Sequence, residues 1–196
     1  MISELHLPLI LLAAFVASAS PGPATLAIAG TSMNAGRGHG LALAAGVLTG
    51  SLFWSAAAAF GLGAIMLANA WAFEVIRYAG AGYLLYLAVK SARTALSKAP
   101  MVQSRLTVTS YRAAYQRGLA LHLTNPKAIL FFGSLFSVGV PVDAAASSMV
   151  IIIAAVGLQS ALVFHGYALI FSSAPMIAGY TRLRRWFEGV FAVVFA

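Results

Sequence analysis

Long apolar runs separated by short polar turns recur along the whole chain. The first runs from about Leu5 to Met33 and is interrupted at Ser20-Pro21-Gly22-Pro23. A turn, Asn34-Ala-Gly36-Arg37-Gly38-His39-Gly40, leads to a second run from about Leu41 to Leu67, and a third covers about Phe73 to Lys90. A polar, basic stretch over 91–110 divides the chain. Beyond it lie runs from about Ala113 to Val138 and from about Ala144 to Phe171, with a last one starting near Trp186. Each run but the last is long enough for a transmembrane helix, which needs about 20 apolar residues. Only 11 residues remain from Trp186 onward, so the chain is expected to stop before its natural end. The pattern predicts an all-α integral membrane protein with six transmembrane helices in one domain. Half-repeats over about 1–90 and 111–196 are joined by the linker.

Two runs carry helix breakers in their middle. Proline removes one N–H and clashes with the carbonyl four residues back, so Pro21 and Pro23 free the carbonyls of Ala17 and Ala19, and Pro126 frees that of His122. The breaks share a pattern. Pro23, Gly30, Thr31 and Gly36 recur 103 residues later as Pro126, Gly133, Ser134 and Gly139. Paired Pro-interrupted segments in two halves point to a transporter binding site. Each proline lies 13 residues before a glycine at a helix end, roughly 20 Å at 1.5 Å per residue. Measured from opposite faces, that puts both breaks near the middle of a core about 30 Å thick.

Composition agrees. The chain is 61% hydrophobic and 8% charged, against about 25% charged in a soluble domain. The net charge of +8 does not indicate nucleic-acid binding, because the charges fall between apolar runs. Ten basic residues (Arg37, Lys90, Arg93, Lys98, Arg105, Arg112, Arg117, Arg182, Arg184 and Arg185) fall on one side of a six-span arrangement, and only Arg77 on the other. The positive-inside rule makes the first side cytoplasmic. Both termini are then extracytoplasmic, and the halves form an inverted repeat. The start, Met1-Ile-Ser-Glu4, lacks the basic region of a cleaved signal peptide, so the first helix is expected to be retained. Gly46 and Gly50 have the spacing that lets membrane helices approach closely, and Gly80 and Gly82 are expected on a crowded face.

Lys127 is the one basic residue left inside a span, where a charge costs roughly 2.5–3.5 kcal/mol and marks function by default. The half-helix starts at Pro23-Ala24-Thr25 and Lys127-Ala128-Ile129 suit a carboxylate, and the freed carbonyls suit an ammonium. The candidate substrate-binding residues are therefore Pro21, Gly22, Pro23, Thr25, His122, Asn125, Pro126 and Lys127. The competing reading is two packed kinks with Lys127 bonded to loose carbonyls. His122 and His165 are candidates for proton coupling, against a purely interhelical role. Phe131, Phe132 and Phe136 read as packing.

All four acids, Glu4, Glu74, Asp143 and Glu188, fall in turns or near span ends. No cysteine is present, which excludes thiol chemistry. The histidines lack the company of a metal site, and Ser134 lacks a nucleophile-elbow motif. Neither a metal, a cofactor nor an enzyme activity is expected. The expected partners are a small amino-acid substrate and the lipid bilayer, with a homodimer left open.

With these residues in view the chain resembles the LysE/RhtB family of amino-acid exporters. The resemblance rests on Ser20-Pro21-Gly22-Pro23, Gly36-Arg37-Gly38, Tyr78-Ala-Gly80-Ala-Gly82-Tyr83-Leu84 and Leu123-Thr-Asn125-Pro126-Lys127. The Pro-Gly-Pro form is closer to the homoserine/threonine-exporter branch. The resemblance implies a bacterial inner-membrane exporter of amino acids or their derivatives, driven by the proton gradient; the alternative is a channel or ion exporter on the same scaffold. Two positions depart from the family pattern. Ser160 stands where many relatives carry an acid, and Phe136-Ser137-Val138 stands where relatives often have Pro-Gln-Phe.

Overall fold

A computed structural model describes residues 7–68, 70–96, 109–141 and 144–173, together with 175, 186 and 193. The described elements are all helical: α1 (Leu7–Ala19), α2 (Pro23–Ala35), α3 (Arg37–Ala68), α4 (Ala70–Leu96), α5 (Tyr111–Leu123), α6 (Pro126–Gly139) and α7 (Ala146–Ile170). Two helical segments among them, Arg37–Gly61 and Ala146–Ile170, are long and apolar enough to cross a membrane. The pair α1 and α2 makes a third such segment if it is one span, bent by 51°. The chain is thus all-α and multi-pass. The expected sixth span lies outside the described residues.

Both breaks form where proline chemistry requires them. The residue before a proline is pushed out of the helical region, and Gly22 (φ −164°, ψ 178°) and Asn125 (φ −82°, ψ 108°) are both extended. Pro23 and Pro126 then open α2 and α6 at a position where the missing N–H costs nothing.

Two boundaries and one packing expectation differ from the sequence reading. The turn over 34–40 contracts to Gly36, whose φ of 88° reverses the chain in a single residue and lets α3 begin at Arg37. The third span continues past Lys90 to Leu96, so the linker begins later than position 91. Gly82 is not crowded: a Cβ there would meet no atom within 4 Å, because that side of α4 is exposed.

In lipid no hydrophobic force drives helix against helix, so close packing must hold the bundle. The broadest contact, α3 on α5, is made by reciprocal glycines. Gly46 lies against the Tyr115 carbonyl, and Gly118 lies against the Leu43 carbonyl.

The core has two apolar clusters. One joins α1, α6 and α7 through Ile10, Phe132, Leu135, Phe136 and Ile152. The other joins α2, α3, α5 and α7 through Ile28, Leu43, Val47, Ala114 and Phe164.

Candidate functional site

Each break is stabilised by its own side chains. At the first, the Thr25 hydroxyl accepts from the Gly22 N–H at 2.9 Å, which satisfies one of the free donors at the start of α2. At the second, Asn125 is the N-cap of α6 and its Oδ1 accepts from the Lys127 N–H at 3.1 Å. Loss of an N-cap typically costs about 1 kcal/mol. Asn125→Ala is accordingly expected to lower the melting temperature of the purified protein by a few degrees, with recovery in Asn125→Asp. A melt unchanged from the parent would show that the cap contributes nothing.

Lys127 joins the two breaks. It sits in the first turn of α6, the positive end of its own helix, where a cation is disfavoured. Its ammonium, however, reaches the negative end of α1. It donates to the Ala17 carbonyl at 3.1 Å and also to the Ser20 hydroxyl. The Ser20 hydroxyl donates to the same carbonyl. The Ala19 carbonyl, also freed by proline, accepts from the Tyr167 hydroxyl at 2.6 Å. The His122 carbonyl accepts from the Asn125 N–H at 3.2 Å. All three carbonyls expected to face an ammonium are therefore filled by donors of the protein itself. Tyr83 reaches over from α4, and its hydroxyl lies 3.5 Å from the Lys127 carbonyl.

A cavity opens between the breaks. Gly22, Thr25, His122, Asn125 and Lys127 all line it. Pro21, Pro23 and Pro126 shape the breaks but are not on its wall. His165 is not on the wall either, and its Nδ1 bonds the Ala161 carbonyl of its own helix at 2.9 Å. Phe131 and Phe132, expected as packing, both pack in the core and line the cavity.

The far wall comes from Ser51 on α3 and from Val156, Ser160 and Phe164 on α7, which no motif marks. The role of Tyr167 also escapes sequence reading. Its one legible signal is that a tyrosine in an apolar span needs a partner for its hydroxyl. Among the described residues the lining holds one lysine, several hydroxyls and no carboxylate. It can bind a small molecule bearing an anionic group. Among the described residues no group of three or more acidic, histidine or cysteine side chains stands ready for a metal.

The chain is similar to known proteins over most of its length. The chain is 31% identical over 183 residues to the "Threonine efflux protein" of Salmonella typhi, covering 92% of this chain and 89% of that one. It is 31% identical over 185 residues to the "Threonine efflux protein" of Escherichia coli K12, with the same coverage. No solved structure matches it. The family model "LysE type translocator" matches residues 15–196, a span that holds both helix breaks and every residue that joins them except Ala14 of the cavity wall. The chain belongs to the LysE family of translocators.

Proposed function

We propose that the protein exports small neutral amino acids, threonine-like in size and polarity, across the bacterial inner membrane. The observation that carries this reading is that one cationic side chain, Lys127, bridges two helix breaks on a single hydroxyl-lined cavity. The substrate carboxylate takes the Lys127 ammonium. Ser51 and Ser160 suit a hydroxylated side chain, and Phe131, Phe132 and Phe164 enclose its carbon atoms. The names of the two relatives support the substrate class. Efflux of labelled amino acids from proteoliposomes is expected to saturate, with threonine and serine ahead of lysine and glutamate. A conductance that does not saturate would overturn the reading in favour of a channel.

The same reading includes six spans arranged as two inverted halves. Several contacts support it. α3 packs on α5 and α6, while α7 packs on α1 and α2; α1 meets α6, and α2 meets α5. Exchanging the halves reproduces each of these pairs. Both α2 and α6 also begin with proline. The distribution of basic residues makes the linker cytoplasmic. Single cysteines in place of Thr109 and Ala145, both exposed, test this in a chain that has no cysteine of its own. An impermeant thiol reagent is expected to label the Ala145→Cys variant on intact cells and to spare the Thr109→Cys variant. The reverse result would overturn both the orientation and the inverted repeat.

A further inference from the structure

We infer that His122 is an exchange site at which a proton and the substrate ammonium compete for one ring nitrogen. The inference rests on the amino-acid reading of the cavity and deepens it. A zwitterion needs an acceptor for its ammonium. The carbonyls at the breaks already accept from Lys127, Ser20, Tyr167 and the Asn125 N–H, and among the described residues no carboxylate lines the cavity. Among those residues the His122 imidazole is the wall acceptor, hydroxyls apart, that receives no donor from the protein.

His122 is only 5% exposed, and neither ring nitrogen has a hydrogen-bond partner among the described residues. A buried polar atom without a partner calls for an explanation. The ring is placed deliberately. It lies edge-on to Phe164, with centroids 6.0 Å apart. Gly50 makes room for it, since a Cβ there would come within 2.9 Å of the His122 Cβ.

Neutral imidazole has one donor and one acceptor nitrogen, whereas imidazolium has two donors. One nitrogen therefore holds either a proton or the substrate ammonium, never both. Among the described residues Lys127 on α6 is the only charged side chain on the same wall. The faces that α3 and α7 turn to the cavity, Ser51, Val156, Ser160 and Phe164, carry no titratable group. α1 and α2 contribute Ser18, Ser20 and Thr25, and the nearby Tyr83 and Tyr167 hydroxyls are directed at carbonyls. In the outward state the ammonium leaves His122 and an external proton takes its place. In the inward state that proton passes to the cytoplasm and the next ammonium replaces it. Each cycle moves one zwitterion out and one proton in, and so carries one positive charge inward.

The test uses the full chain in proteoliposomes with labelled L-threonine. His122→Gln keeps an acceptor oxygen but cannot titrate. It is expected to retain threonine–threonine counterflow, weakened up to about tenfold, to lose all accumulation driven by a pH gradient, and to lose the dependence of half-saturation on pH. His122→Leu is expected to lose both activities. Gradient-driven accumulation by the glutamine variant would overturn the inference. The parent protein gives an independent check should either variant fail to fold. Its half-saturation concentration in counterflow is expected to rise about tenfold per pH unit on the acid side, as competition with one proton requires, and a flat profile would overturn the exchange site. Absence of any threonine flux in the parent would instead overturn the amino-acid reading beneath it.

Discussion

Replacing Lys127 by methionine is expected to raise the half-saturation concentration for export by roughly ten- to over a hundredfold while leaving a folded protein. The magnitude is that of one charge-assisted hydrogen bond, about 1.5–3 kcal/mol. Comparing magnitudes separates folding from function here. A lysine in the middle of a span costs roughly 2.5–3.5 kcal/mol. Its bonds to the Ala17 carbonyl and the Ser20 hydroxyl, at about 1.5–3 kcal/mol each, are enough to offset that. The fold therefore does not require a bound anion. The Ala17 carbonyl and the Ser20 hydroxyl are neutral, and among the described residues no carboxylate lines the wall, so a substrate carboxylate adds a charge-assisted contact to the ammonium. Ser20→Ala separates bracing from binding, because it removes one brace and keeps the charge. Its half-saturation is expected to stay near the parent value. Concentration-dependent efflux from proteoliposomes measures both variants. Equal half-saturation and maximal rate for Lys127→Met and the parent would leave Lys127 as a structural residue only.

A second large effect is expected at the glycines between α3 and α5. A valine at Gly46 would drive its Cβ into the Tyr115 carbonyl, and one at Gly118 into the Leu43 carbonyl. Backbone cannot rotate away as a side chain can, so the two helices must separate. Overpacking ordinarily costs about 1–3 kcal/mol, and here it also undoes the close approach on which membrane helix packing depends. Either variant is expected to lose most monodisperse protein after detergent extraction. Gly82→Ala serves as the control. Its Cβ meets open space and the change favours the helix by roughly 1 kcal/mol, so yield and melting temperature should hold or rise. Parent-like behaviour of Gly46→Val would refute the packing account.

The breaks were legible in the sequence because their cause is local. A proline, its missing N–H and the extended residue before it act within a few positions, and Pro23 and Pro126 head their half-helices as expected. The start of α3 was not legible. Arg37-Gly38-His39-Gly40 has the composition of a loop, yet these glycines are helical and serve contacts. A Cβ at Gly38 would press on the Tyr111 ring at 2.9 Å, and one at Gly40 would strike Ser32. The carbonyls at Ala17 and Ala19 were legible in part. Sequence shows that proline frees them and offers Lys127 as one partner for a freed carbonyl, but not that Tyr167 takes Ala19 from 148 residues away. Ser51, Ser160 and Phe164 complete the cavity from three turns of two distant helices, and no spacing in the sequence encodes that meeting.

The arrangement at Ser20–Pro23 also fixes how the first span can bend. The last backbone bond of α1 runs from the Ser20 N–H to Val16, and the first of α2 runs from the Leu26 N–H to Gly22. Pro21 and Pro23 have no N–H to give. Changing the angle between α1 and α2 therefore neither makes nor breaks a main-chain hydrogen bond. The joint is a hinge with no main-chain latch. Its local brace is the Thr25 hydroxyl, which donates to the Ser20 carbonyl at 3.4 Å, and two side chains from other spans tether the α1 end, Lys127 at Ala17 and Tyr167 at Ala19. A ligand that draws Lys127 away removes one of those tethers and loosens the bend of the first span.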